Sequence, residues 1–247
     1  MKLSLLFPCK DQSERLLENL KNIVIPYFDK QNIEYEIMVC LDGSNEEQLK
    51  IFDEGKDKLG KEVIVTEYQA KRGKGHNVQR LILECHGEYC LFMDADLATD
   101  LSVFPLMAAD FGKYDCYVGS RNAKGSVYEK RQTIIRQLMH FVSRKLIKMK
   151  FHLKDVKDTQ CGFKMLRTEV GRQIAQRQII DGFAFDVEYL YFLTLNGYKI
   201  HEYPVIWKDN PASSISNARK EAKEFTRQLK LIKKNKDSYI LPEGEKL

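Results

Sequence analysis

Through the first half of this 247-residue chain, short apolar runs alternate with longer stretches of helical period, and that alternation limits the fold more tightly than any other feature. Leu3 to Phe7, Glu36 to Leu41, Val63 to Thr66, Tyr89 to Met93 and Tyr114 to Val118 are short, rich in β-branched and aromatic residues, and close to continuously apolar. Strands covered on both faces read this way. Between them, Ser13 to Lys30 carries Leu16, Leu17, Leu20, Ile23 and Val24 at helical spacing, with Ser13 as the expected N-cap. Asn45 to Leu59, Gly75 to Glu84 and Ser102 to Asp110 read as further helices. Strand then helix, repeated, predicts an α/β fold: a mostly parallel central sheet with helices on both faces. Ligands of such sheets bind at the carboxyl ends of the strands.

The second half reads differently. Lys130 to Lys150 predicts one long helix, Lys164 to Ile179 a strand and helix, Phe185 to Leu195 a helix, and Lys199 to Trp207 an alternating strand. Asn210 to Ser214 reads as a loop and Ser216 to Lys234 as a charged helix, with Arg219 to Lys236 a solvated face. No repeat or low-complexity linker interrupts the chain, so one compact body is expected, with a functional division near residue 120.

A net charge of +5 is too mild for a dedicated DNA-binding domain, and no nucleic-acid partner is expected. The six cysteines include no C-x-x-C pair and read as reduced core thiols of a cytoplasmic protein. No run is long enough for a signal-peptide core or for the ~20 apolar residues of a membrane span, which predicts a protein that is soluble or at most peripheral on the inner face of a membrane.

The strand ends carry the chemistry. After the fourth strand, Asp94-Ala95-Asp96 places two carboxylates one residue apart, where strand alternation would point them the same way. Together they suit a hard divalent cation, Mg²⁺ or Mn²⁺, whose remaining positions go to water and substrate phosphates. After the second strand, Asp42-Gly43-Ser44 offers a carboxylate for a base or ribose; the same residues also read as a plain turn with Ser44 or Asn45 as helix cap. After the third, Lys71-Arg72-Gly73-Lys74-Gly75 is basic, glycine-rich and opens a helix, which suits a nucleotide phosphate. It has neither Walker nor G-x-G-x-x-G spacing. Gly119-Ser120-Arg121 follows the fifth strand as a further anion contact, and the basic amphipathic stretch 130–150 fits either a solvated face or a membrane-surface helix.

Taken in order, Phe7-Pro8, Leu41-Asp42-Gly43-Ser44, Lys71 to Gly75, Asp94-Ala95-Asp96-Leu97, Gly119-Ser120-Arg121, Asp158-Thr159-Gln160-Cys161-Gly162-Phe163-Lys164 and Phe183-Ala184-Phe185-Asp186-Val187-Glu188 closely resemble the polyprenyl-phosphate glycosyltransferases. These are inverting family 2 enzymes of GT-A fold that include the dolichyl-phosphate glucose and mannose synthases. Asp94 to Thr99, Phe183 to Glu188 and Pro204 to Trp207 look most like the glucosyl branch.

The resemblance implies a single catalytic domain over 1–247, with a nucleotide-sugar-binding half at 1–120, an acceptor-binding half at 121–210, and a terminal helix and tail at 211–247. It implies a hexose, glucose first, moved from a nucleoside diphosphate sugar such as UDP-glucose to a polyprenyl phosphate at the membrane surface. Pro8, Asp42, Ser44, Lys71, Arg72, Lys74 and Asp94 would meet the nucleotide. Asp94 and Asp96 would hold the metal, and Arg121, Arg131 and Gln160 the acceptor. An anionic phosphate acceptor needs no general base, whereas a glycan hydroxyl would, with Asp158, Asp186 and Glu188 as the candidate carboxylates. A glycan acceptor, a non-catalytic nucleotide-sugar-binding scaffold and a nucleotidylyltransferase remain open at this stage.

Overall fold

The computed structural model describes residues 2–68, 72–129, 147–153, 156–208 and 218–247. They divide into two compact units, Met1–Leu97 with Met165–Gln176, and Ala98–Lys164 with Arg177–Leu247.

In the first unit, β1 (Lys2–Cys9) lies between β2 (Glu34–Asp42) and β4 (Tyr89–Met93), with β3 (Val63–Tyr68) outside β2. All these pairs are parallel, in register Lys2↔Glu34, Leu3↔Tyr89 and Ile37↔Val63. Leu3 to Cys9 and all of β4 are buried, as continuous apolar runs require when both faces are covered. The crossovers contain α1 (Ser13–Asn19), α2 (Ile25–Phe28), α3 (Glu46–Lys56) and α4 (Lys74–Glu84).

The single helix expected over 13–30 is instead α1, a π-helical stretch at Leu20–Val24, and α2. Pro26, in the first turn of α2, has no N–H to bond one turn back, so the hydrogen-bond register must change there. Ser13 does not cap α1. Gln12 occupies that position, and the Ser13 N–H donates instead to Gln48 Oε1 of α3 at 2.9 Å. Asn45 caps α3 by accepting from the Gln48 N–H at 2.9 Å.

The second unit contains α5 (Phe104–Ala108), β5 (Cys116–Ser120) and β6 (Val127–Tyr128). The next strand, β7 (Phe163–Arg167), is shared: Phe163 and Lys164 belong to this unit and Met165–Arg167 to the first, where α6 (Thr168–Arg177) follows. In the strand order β7 neighbours β4 and β5. Just past its end, the Thr168 N–H donates to the Glu88 carbonyl, just before β4, at 2.9 Å. At its start, the Phe163 carbonyl lies 3.1 Å from where a Cβ on Gly119 of β5 would sit, so glycine suits that close approach.

α7 (Phe185–Leu195) is buried from Phe185 through Leu193, as a helix apolar on all sides must be. β8 (Ile200–Pro204) pairs in parallel with β5, and β9 (Ile206–Trp207) pairs with β6 in a separate two-stranded sheet. The one strand expected over 199–207 therefore serves two sheets. Pro204, unable to donate, ends the first of them. The strand expected at 114–118 lies two residues later, and the Tyr114 ring stacks on His201 with centroids 4.6 Å apart. α8 (Ala218–Lys234) and a short 3₁₀ turn at Lys236–Tyr239 complete the elements.

The six cysteines form no disulfide and all are buried. Among the described residues no helix is long and apolar enough to cross a membrane. Of the helix expected over 130–150, residues 147–150 are helical and 130–146 lie outside the described residues.

Candidate functional site

In the first unit the candidate residues gather beyond the carboxyl ends of β1, β2 and β4. Asp42, the last residue of β2, is 2% exposed, and its two carboxylate oxygens accept the N–H groups of Arg72 and Gly73, each at 2.9 Å. This clamp fixes the start of α4. Gly73 caps that helix at φ +130°, a backbone conformation that side chains other than glycine's rarely allow. The next residue, Lys74, forms an ion pair with Asp94.

β4 stops at Met93, so Asp94 and Asp96 are carried by a turn and not by the strand alternation expected for them. The Leu97 N–H donates to the Asp94 carbonyl at 3.0 Å, with Leu97 itself at φ +47°. Helix α1 holds the turn from the side: Asn19 Nδ2 donates to the Ala95 carbonyl at 2.8 Å and Arg15 Nη2 to the Asp96 carbonyl at 3.2 Å. Main-chain oxygens take these bonds. Among the described residues no three His, Cys, Asp or Glu side chains group as ligands for an ion. Two hard carboxylate donors nevertheless match an Mg²⁺ or Mn²⁺ whose other positions go to phosphate and water.

Pro8 is buried in β1 opposite Cys40. Ser44 Oγ accepts from the Asp11 N–H at 3.4 Å, linking the loops after β1 and β2. Lys71 and Arg131 lie outside the described residues.

The second unit has its own charged centre. Arg121, just past β5, forks onto Asp158 through Nε at 2.7 Å and Nη2 at 2.8 Å, and its N–H donates to the same carboxylate at 2.9 Å. Asp158 is 1% exposed. Burial pushes its carboxyl up, but the bonds and charge of Arg121 outweigh that and hold it at about 2. The guanidinium also sits 5.5 Å from the centre of the Trp207 ring. Glu202 steadies the loop that carries Asp158 by accepting the N–H groups of Lys157 and Asp158, each at 2.8 Å, and the Gln160 N–H reaches Asp158 Oδ1 at 3.3 Å.

The three carboxylates considered as a base are each buried and engaged by neighbouring groups. Asp158 is locked to Arg121 and already ionised. Asp186, at the start of α7, is ion-paired with the buried Lys164, which also donates to the Cys161 carbonyl at 2.6 Å. Glu188 is 0% exposed and accepts from the Ile179 N–H at 2.8 Å, the Ile180 N–H at 3.1 Å and the Tyr239 hydroxyl at 2.6 Å. Burial raises its carboxyl to about 7 against the opposing pull of those donors. It fastens α7 to the chain before it and to the C-terminal 3₁₀ turn.

Several residues of these networks escape sequence reasoning. Arg15 and Asn19 look like ordinary polar positions on an amphipathic helix. Glu202 sits in an alternating strand that suggests only a sheet, and Trp207 enters only through the resemblance carried by Pro204 to Trp207, with no role attached to it. Tyr239, deep in an apparently polar tail, gave no signal beyond being a lone aromatic there.

The family model described as Glycosyl transferase family 2 matches residues 4–174. A dolichyl-phosphate beta-glucosyltransferase of Dictyostelium discoideum is 29% identical over 243 residues, covering 91% of this chain and 73% of that protein. One from Saccharomyces cerevisiae is 26% identical over 236 residues, covering 87% and 70%. Glucosyl-3-phosphoglycerate synthase from Mycobacterium tuberculosis in complex with UDP superposes with a TM-score of 0.69 at 15% identity, over 98% of this chain and 82% of that one. Its complex with Mn²⁺, UDP and glucosyl-3-phosphoglycerate gives 0.64 at 14% identity, over 98% and 82%.

Proposed function

The chain belongs to glycosyl transferase family 2, and from that premise we propose that it moves glucose from UDP-glucose to a dolichyl-type polyprenyl phosphate, with Mg²⁺ or Mn²⁺ held by Asp94 and Asp96. The names of its relatives support the sugar and the acceptor, and the UDP and Mn²⁺ complexes of its structural neighbour support the donor and the metal.

The observation that carries the acceptor class is the state of the buried carboxylates. A hydroxyl acceptor needs a base to take its proton, and Asp158, Asp186 and Glu188 are each engaged and buried. A phosphate monoester arrives as a nucleophile and requires none. The arrangement therefore supports attack by a phosphate oxygen at the anomeric carbon, forming the new C–O bond as the bond to the diphosphate breaks.

The side chains divide the work. Asp42 holds the loop and α4 in place, so that Arg72 and Lys74 stand at a helix start where the diphosphate would lie. Asp94 and Asp96 would bind the divalent ion, which when present offsets the charge developing on the departing UDP. Arg121, oriented by Asp158, is the proposed contact for the acceptor phosphate, with Gln160 beside it.

Thermal shift with UDP, GDP and CDP, each with Mn²⁺ and with EDTA, tests the donor side, since a ligand bound only by the folded state raises its melting temperature. UDP alone should stabilise the protein, only with the metal, and the response should vanish in Asp96→Ala. Equal shifts with EDTA, or a response confined to GDP, would refute the reading.

A further inference from the structure

We propose that the outer face of α8 is a docking surface for an anionic lipid bilayer. Residues 218–236 hold eight Lys or Arg and two Glu, a net +6 in a chain whose total is +5, so the rest of the protein sums to −1. The charge is also ordered in space. Lys220, Lys223, Arg227, Lys230 and Lys234 are all exposed and recur at alternating spacings of three and four. At roughly 100° per residue they fall within an arc of about 80° occupied by no other residue of the helix, running about 21 Å along its axis. Gln228, Leu229 and Ile232 are buried on the opposite side. Glu224 touches this stripe through its pair with Arg227.

Segments bonded to other positions of this helix also expose large apolar side chains. Gln228 Oε1 accepts the Ala184 N–H at 3.1 Å, which sets the loop carrying Phe183, 62% exposed, alongside α8. Farther along, Lys233 Nζ donates to the Lys150 carbonyl at 3.0 Å, next to Met149, 59% exposed. A row of cations on a helix whose bonded neighbours expose a large aromatic and a thioether suits lipid headgroups over an acyl boundary. A nucleic-acid backbone would match the cations but not the exposed apolar side chains nearby. The preference for a bilayer rests in part on the lipid-phosphate acceptor proposed above.

Sedimentation of the full chain with phosphatidylcholine vesicles, with and without phosphatidylserine, tests the surface without using catalysis. Wild type should bind only the phosphatidylserine vesicles, and more weakly as salt rises. Each lysine near such a surface contributes about fivefold in partitioning, so the combined Lys223→Gln, Lys230→Gln and Lys234→Gln variant should bind on the order of a hundredfold more weakly. Its melting temperature and its response to UDP should match wild type. Undiminished binding by the variant, or indifference of wild type to phosphatidylserine, would overturn the proposal. So would tighter binding to duplex DNA or RNA than to the vesicles. Transfer to a short-chain, detergent-soluble polyprenyl phosphate, measured on the same preparations, separates the two ideas. Transfer without vesicle binding defeats the docking surface alone, and vesicle binding without transfer defeats the acceptor reading alone.

Discussion

Glu188→Gln distinguishes a structural carboxylate from a catalytic one. In the folded protein Glu188 titrates at about 7, against 4.5 for an exposed glutamate, because burial disfavours its charge. The folded state therefore keeps a proton that the unfolded chain releases above pH 4.5. The associated stability is fully present below 4.5 and is lost as pH rises through about 7. At roughly 1.36 kcal/mol per pH unit, that gap amounts to about 3 kcal/mol. Glutamine resembles the protonated acid: one oxygen still accepts from Ile179 and Tyr239, while the amide nitrogen faces the Ile180 N–H. Urea unfolding of both proteins at intervals from pH 4 to 8 should show wild type losing about 3 kcal/mol relative to the variant across this window, or about 6–12 °C in melting temperature. Turnover of the variant should stay within about twofold of wild type, since Glu188 touches no reacting atom in the proposed reaction. Parallel stability curves would refute the burial argument, and a stable variant with hundredfold lower turnover would refute the structural role.

Asp158→Asn should leave the Arg121 guanidinium buried against a neutral partner and destabilise the second unit by about 3–5 kcal/mol, measurable by denaturant titration. In wild type, the stability from this pair is present above 3.8 and is lost as pH falls toward about 2, so acid unfolding should begin at higher pH in the variant. Asp42→Ala should free the Arg72 and Gly73 amides, costing about 1–3 kcal/mol and raising the KM for the sugar donor more than it lowers kcat. Chelation by EDTA should abolish turnover and added Mn²⁺ restore it, whereas Asp96→Ala should not recover at any metal concentration that saturates wild type.

The sheet was legible because Leu3 to Phe7 and Tyr89 to Met93 are buried on both faces and so read as unbroken apolar runs. The strand-end carboxylates were legible because Asp94 and Asp42 directly follow such runs. Bonds formed across long separations were not. Nothing local to Asp42 says that it will take the Arg72 and Gly73 amides, and nothing local to Asp158 says that Arg121 will fork onto it. Both pairings depend on where separate strands end. The misplaced cap at Ser13 has the same origin, since Gln48 on another helix satisfies that N–H. Pro26 and Pro204 lie inside segments whose periodicity predicts continuous elements, and the missing N–H breaks both.

Radiolabelled UDP-glucose with dolichyl phosphate in detergent, in the presence of Mn²⁺, measures the proposed transfer itself. The expected product is a glucosylated lipid of β configuration, formed in step with UDP release and absent when Asp96 is replaced by alanine. Metal-dependent release of UDP with no labelled lipid, or label moving only to a sugar hydroxyl, would contradict it.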